Sequence, residues 1–134
     1  MDKKYLSLND IEAYKIDCHL SNKVWEVVIV WNHFEKNTIG QQFVRSVDSI
    51  SANIAEGFGR FGKKDKTKFY RYASGSLYES WDWNEKAKSR KLLTQDEYEF
   101  IFQELKNYPK PSTHSLNIQM TNFSYDSFIQ PLSH

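Results

Sequence analysis

From Ala13 onward, apolar residues return every three or four positions: Ala13, Ile16, Leu20, Val24, Val27, Trp31 and Phe34. That spacing is the stripe of an amphipathic helix, and its length predicts one rod of about 27 residues and about 40 Å. Cys18, Trp25, Val28 and Ile29 widen the stripe, so this helix is expected to touch more than one neighbour. Ser7 with Asp10, or Asn9 with Glu12, supplies a start signal in which a side-chain oxygen meets a free backbone N–H. Thr38-Ile39-Gly40-Gln41 reads as a second capping box, ahead of Ile39, Phe43, Val47, Ile50 and Ile54, with Ser51 and Ala55 forming a line of small residues beside them. Gly57-Phe58-Gly59 is expected to end this second helix, because glycine accepts the left-handed turn that satisfies the last carbonyls.

A third helix is predicted from near Asp65 to about Arg90, with Phe69, Ala73, Leu77, Asn84 and Ala87 facing in. Ser74-Gly75-Ser76 lies inside it. Glycine costs up to about 1 kcal/mol there, which predicts a close helix contact that needs the missing side chain. Thr94-Gln95-Asp96-Glu97 is the third capping box; Tyr98, Ile101, Phe102 and Leu105 make the fourth helix, and Pro109 and Pro111 stop it. Four amphipathic helices on short connections pack most simply as an up-down-up-down bundle. The expected fold is therefore all-α: a four-helix bundle domain over residues 1–111 with a non-helical C-terminal tail, 112–134, extended or partly ordered. In that tail Leu116, Ile118 and Met120 alternate with polar residues. It has three options: pairing at an edge, packing on a neighbouring subunit, or mobility.

Composition narrows the class. A chain of 134 residues, 40% apolar and 26% charged, is one ordinary domain able to bury a core. One cysteine, Cys18, excludes a disulfide framework and a cysteine-built zinc site. No apolar run approaches a membrane span, and Met1-Asp2-Lys3-Lys4-Tyr5 leads into no signal-peptide core. A cytoplasmic protein with no membrane partner is expected. The net charge of +1 conceals an asymmetry: ten Lys/Arg face four Asp/Glu between Arg60 and Lys91, leaving the rest of the chain acidic. Arguments about partners start from that basic middle.

Gly57-Phe58-Gly59-Arg60-Phe61-Gly62-Lys63-Lys64 imitates two nucleotide motifs, G-x-G-x-x-G and G-x-x-x-x-G-K-[ST]. Both require a preceding strand that turns into a helix under the phosphates, and the second requires a hydroxyl where Lys64 stands. A helix precedes this loop, so it reads as a cap and a turn. The turn nevertheless delivers Arg60, Lys63, Lys64, Lys66, Lys68 and Arg71 around the start of the third helix, with Asp65 the only acid. A helix N-terminus already carries partial positive charge, so cations gathered there call for an anion. Phe58, Phe61, Phe69 and Tyr70 are interleaved with them and offer rings on which bases stack. The collar reads either as a phosphate-backbone site or as a solvated charge run. Lys86, Lys88, Arg90 and Lys91 form a second basic set, which the dipole at the end of the third helix explains equally well.

Catalytic patterns are poor. His19, His33, His114 and His134 form no metal-spaced pair, and no Glu-x-x-His occurs. Cys18 and His19, adjacent on a helix, point about 100° apart, and Cys18 reads as core. Ser74-Gly75-Ser76 lacks the strand-to-helix elbow of a serine hydrolase. Asn53, Glu56, Ser76 and Glu79 read as a structural polar network that sets helix register, with Arg60 and Arg71 as further partners; a catalytic carboxylate pair is the minor alternative. No enzyme activity, cofactor or metal is expected.

Ser49-Ile50-Ser51-Ala52-Asn53-Ile54-Ala55-Glu56-Gly57-Phe58-Gly59-Arg60, followed by Phe69, Gly75-Ser76-Leu77 and Glu79, resembles the bacterial four-helix-bundle proteins encoded in intervening sequences of 23S ribosomal RNA genes, over roughly residues 10–108. Trp25 fits that pattern too. The resemblance implies a homo-oligomeric ring, commonly a pentamer, and relatedness to the accessory protein of diversity-generating retroelements, which binds nucleic acid and a reverse transcriptase through basic surface. Most members have no established activity, and some carry a ribosomal-protein label. Two features depart from the family pattern. Ser51 stands where the family often has proline, and Arg45 is followed by Asp48 where paired basic residues are usual. The second departure removes positive charge.

The expected function is a non-enzymatic homo-oligomeric bundle that binds nucleic acid, RNA before DNA, through its basic collar. The alternative is a protein-interaction scaffold with no nucleic-acid role, in which another protein meets aromatic surface around Trp81 and Trp83.

Overall fold

The structure, a computed structural model, describes residues 11–109. Four helices account for most of them: α1 (Glu12–Val28), α2 (Gln41–Phe58), α3 (Lys63–Ser89) and α4 (Gln95–Lys106). A helical turn, His33–Glu35, and a π-helical segment, Lys36–Gly40, lead without interruption into α2. Each helix packs on the next and α4 closes back on α1, with α2 and α3 forming the most extensive pair. This is the all-α, four-helix bundle expected from the pattern. Residues 1–10, including the proposed start signals, and the tail after Pro109 lie outside the described residues.

The core is built from Leu20 and Val24 of α1, Phe43, Val47, Ile50 and Ile54 of α2, Tyr70 and Leu77 of α3, and Ile101 and Leu105 of α4. Each such side chain contributes roughly 1.5–3 kcal/mol when fully buried, so these stripes decide which way each helix faces. In α3 the buried run is Tyr70, Ala73, Leu77, Ser80, Asn84 and Ala87, whose alternating three- and four-residue steps are those of a bundle seam. Tyr70 thus takes the inward place expected for Phe69, which is only half-buried.

Three local expectations are corrected. The first helix stops at Val28, six residues short of Phe34, where the predicted stripe ends. The chain turns at residues 29–32, Asn32 is extended, and helix resumes at His33. Close packing explains the break: a side chain on Gly40 would lie 2.7 Å from Val28 Cγ1 and 3.3 Å from Trp31 Cε3. Thr38 consequently lies within the helical run rather than capping it, and its hydroxyl donates to the Phe34 carbonyl at 2.7 Å. Second, α2 does end at the predicted glycines, but Gly59 is right-handed (φ −76°) and no glycine among the described residues has positive φ. Third, Gly75 is exposed and a Cβ there would meet nothing within 4 Å. The close α2–α3 approach is made elsewhere, where Ser80 donates to Ser46 at 3.1 Å in the buried seam and Gly57 lies against the ring of Tyr70. The capping box at Thr94 forms in full, Glu97 N–H donating to Thr94 Oγ1 at 3.1 Å and Thr94 N–H to Glu97 Oε1 at 2.9 Å.

Candidate nucleic-acid interface

The α2–α3 bend projects into solvent: Phe61 is wholly exposed and Gly62, Lys63, Lys64 and Asp65 are exposed with it. The six collar cations divide into two kinds. Lys66 turns back under the end of α2, where its ammonium donates to the Phe58 carbonyl at 3.0 Å and the Gly57 carbonyl at 3.3 Å. It satisfies the Phe58 carbonyl at the helix end and shares the Gly57 carbonyl with the Arg60 N–H, and burial pulls its pKa below the ordinary lysine value. Arg60 pairs with Glu56 one turn earlier and lies 4.8 Å from the centre of the Phe69 ring. Lys63, Lys64, Lys68 and Arg71 have no carboxylate within ion-pair distance among the described residues. They line a shallow hollow with Asp65 and Thr67.

Helical geometry puts Lys64, Lys68 and Arg71 on one outward line, because steps of four and three residues return to the same face. The aromatic residues sort by the same geometry. Tyr70 is buried, which removes it from the surface, and Phe58 is half-buried against the core. Phe61 and Tyr72 are exposed instead, and Phe69, half-buried, meets Tyr72 edge to face at 5.7 Å. Tyr72 was legible in principle, since it falls off the inward stripe one turn beyond Lys68.

The second basic set lies at the other end of α3, about 36 Å away for 24 residues at 1.5 Å each. Lys86 pairs with Asp82 at 2.6 Å, and Lys88 lies 4.1 Å from the centre of the Tyr98 ring. Arg90 and Lys91 are exposed at the helix end. Within one chain these residues do not join the collar.

Asn53, Glu56, Ser76 and Glu79 form no bonds with one another. Asn53 donates to the Ser49 carbonyl of its own helix, Glu56 holds Arg60, Ser76 accepts from Ser80 through its carbonyl, and Glu79 accepts from Arg45 of α2 at 2.6 Å. Arg45 is therefore spent on a helix–helix ion pair. The buried polar groups lie elsewhere. Asp17 of α1 has no exposed surface; its Oδ2 accepts from the backbone N–H of Ser51 at 2.7 Å. A proline at position 51 would lack that N–H, so Asp17 uses the donor that Ser51 supplies in departing from the family pattern. Burial raises the Asp17 pKa to about 7 against the lowering effect of the Ser51 bonds, and nearby Asp48 adds to the rise. Cys18, half-buried beside Tyr14, is raised by burial as well and is no ready thiolate.

Trp81 and Trp83 do not present the aromatic surface expected of a scaffold. Both pack against the core, and Trp81 lies against Phe102 with ring centres 4.9 Å apart. Large exposed apolar residues gather at another corner, where Trp25, Ile29, Val30 and Phe34 flank the α1–α2 turn. A groove of about 420 Å³ runs beside them, lined by Trp25, Val28, Ile29, Gly40 and Val44 with Lys36 and Arg45 at its edge. Among the described residues no His, Cys, Asp and Glu cluster suited to a metal ion occurs, and no helix is long and apolar enough to cross a membrane.

The fold and its exposed basic bend define a small helical-bundle protein with a cationic surface and no recognisable catalytic constellation among the described residues. The chain belongs to the 23S rRNA-intervening sequence protein family, whose model matches residues 9–112. Its structure is similar to the crystal structure of a protein of unknown function from the S23 ribosomal protein family of Bacteroides thetaiotaomicron, with a TM-score of 0.66 over 83% of this chain and 99% of that one, at 19% identity. That likeness concerns the fold. Comparison with curated proteins returns no match.

Proposed function

We propose that this protein is a non-enzymatic bundle that assembles with copies of itself and binds nucleic acid, RNA in preference to DNA, through the phosphate backbone. The observation that carries the reading is the set of four cations, Lys63, Lys64, Lys68 and Arg71, held on an exposed bend without carboxylate partners among the described residues. Of the six collar cations, Arg60 and Lys66 each hold an internal partner, as Arg45 and Lys86 do elsewhere on the bundle. A polyanion recruits the remaining four at little cost, since each phosphate contact releases condensed counterions. Arg60 and Lys66 serve as supports, and Lys86, Lys88, Arg90 and Lys91 join only where assembly brings the far end of another copy alongside. Self-association, with a pentamer favoured by the family resemblance, is supported by the exposed apolar corner at Trp25, Ile29, Val30 and Phe34. Apolar clusters of this kind are covered in many oligomers. A monomeric mass by light scattering at micromolar concentration removes that part of the proposal.

The test is a salt titration of binding to a labelled RNA. Each neutralised phosphate adds about 0.7–0.9 to the slope of log affinity against log salt, so the combined variant Lys63→Ala, Lys64→Ala, Lys68→Ala, Arg71→Ala is expected to flatten the slope by about 3. Lys66 is left intact because its loss uncaps α2. Affinity indifferent to salt, or unchanged in the variant, overturns the proposal and favours a protein-interaction scaffold.

A further inference from the structure

We infer that the outer face of the α2–α3 corner is a track for a single-stranded polynucleotide, in which Phe61 and Tyr72 stack on bases while Lys64, Lys68 and Arg71 hold the backbone. This deepens the proposed function and rests on it. The aromatic exposure carries the argument. Phe61 is 103% exposed and Tyr72 51%, although each has apolar neighbours in sequence that the bundle does bury, Phe58 partly and Tyr70 almost wholly. Burying either ring would stabilise the bundle, yet the fold leaves both facing the solvent from which the cations project.

Tyr72 also belongs to a built surface. Phe69 lies between Arg60, 4.8 Å from its centre, and Lys68, 5.6 Å from it, and Tyr72 leans edge-on against the same ring at 5.7 Å. These contacts hold the Tyr72 ring and Lys68 in one place before any ligand arrives, which reduces the ordering cost of binding. Lys64, Lys68 and Arg71 continue as a row at intervals of about 6 and 4.5 Å along the helix axis. Cations in line along the helix, with Tyr72 one turn beyond Lys68 and Phe61 exposed on the adjoining bend, match a single strand, whose phosphates and bases lie on opposite sides of its sugar chain. A duplex matches poorly, because its base faces are already stacked on one another and only phosphates and groove edges remain outside. Stacking on a ring is open to every base, so low sequence selectivity accompanies the strand preference.

The experiment measures fluorescence anisotropy with two labelled probes, an unstructured 16-nucleotide RNA and a 16-base-pair RNA duplex, at one low salt concentration and then across a salt series. The wild-type chain is expected to bind the single strand at least tenfold more tightly. Phe61→Ala and Tyr72→Ala are each expected to weaken single-strand binding about tenfold, the usual scale for a lost base–aromatic stack, while leaving duplex affinity and both salt slopes unchanged. Phe61→Trp and Tyr72→Phe keep the ring and are expected to retain binding, which separates stacking from any effect on the fold. Equal affinity for both probes, or single-strand binding untouched by loss of both rings, overturns the track while the phosphate-binding collar stands. Failure of both probes to bind at low salt overturns the collar itself, and the track with it.

Discussion

Two glycines show how a residue's cost depends on what faces it. Gly75 occupies the interior of α3 with open space where its side chain would be. Its backbone freedom is lost on folding with nothing gained, so Gly75→Ala is expected to stabilise the bundle by about 0.5–1 kcal/mol in thermal or urea unfolding. Gly57 is the reverse case. A Cβ there would lie 2.9 Å from Cδ1 of Tyr70 and nearer still to Cε1, and that ring is itself buried. Gly57→Ala is expected to destabilise by about 1–3 kcal/mol, although alanine is the better helix former. Asp17 sets a pH dependence of defined sign. Its pKa stands near 7 when folded and near 3.8 in the free chain, so the native state holds the extra proton between those values. Its contribution to stability is therefore complete below about pH 4 and is lost as pH rises through 7. Asp48, raised by burial too, acts in the same direction. Thermal unfolding followed from pH 5 to 8 should show the melting temperature falling; Asp17→Asn, which keeps an acceptor for the Ser51 N–H, should flatten that fall and melt higher than wild type at pH 8.

Among the elements, the ends were harder to anticipate than the faces. The box at Thr94 was readable because both halves of it are side-chain chemistry within four residues. The end of α3 uses a backbone device without its usual residue: Lys91 is left-handed at φ 61°, Leu92 N–H donates to the Ala87 carbonyl at 2.9 Å, and Lys91 N–H to the Lys88 carbonyl at 3.0 Å. This pairing is the Schellman closure, for which glycine is normally chosen. Lys91→Gly removes the strain of a side chain at positive φ and is expected to raise stability by about 0.5–1 kcal/mol in urea unfolding. The α1 boundary shows the opposite problem. Ile29, Val30, Trp31 and Phe34 preserve helical apolar spacing, so nothing local marks the break; the arrival of Gly40 against Val28 and Trp31 makes it.

At the scale of the molecule, the two ends of α3 carry most of the positive charge, and tertiary contacts treat them differently. At the far end Lys86 and Lys88 lie over Trp83 and Tyr98, and Lys86 also holds Asp82. At the near end Lys66 is turned inward to cap α2, while Lys63, Lys64, Lys68 and Arg71 remain outside. The collar named from sequence is thus a smaller and sharper object in three dimensions. The rival aromatic surface moved as well, from Trp81 and Trp83 to the corner around Trp25 and Phe34, because the alternation within Tyr78–Trp83 gives no sign of which side meets α4.

Periodicity over many turns was sufficient to determine four helices, their order and most of their inward faces, because burying an apolar stripe is worth far more than any competing local preference. The basic bend was legible for the same reason: glycines between two stripes must form a turn, and turns lie at the surface. What only the tertiary structure decided was pairwise. Whether Tyr70 or Phe69 enters the seam, which glycine is needed for close approach, whether Asp17 meets the Ser51 N–H, and which lysines are left for a ligand all depend on atoms distant in sequence. Differences of an ångström between neighbouring helices set those outcomes, and no single stretch of the chain encodes them.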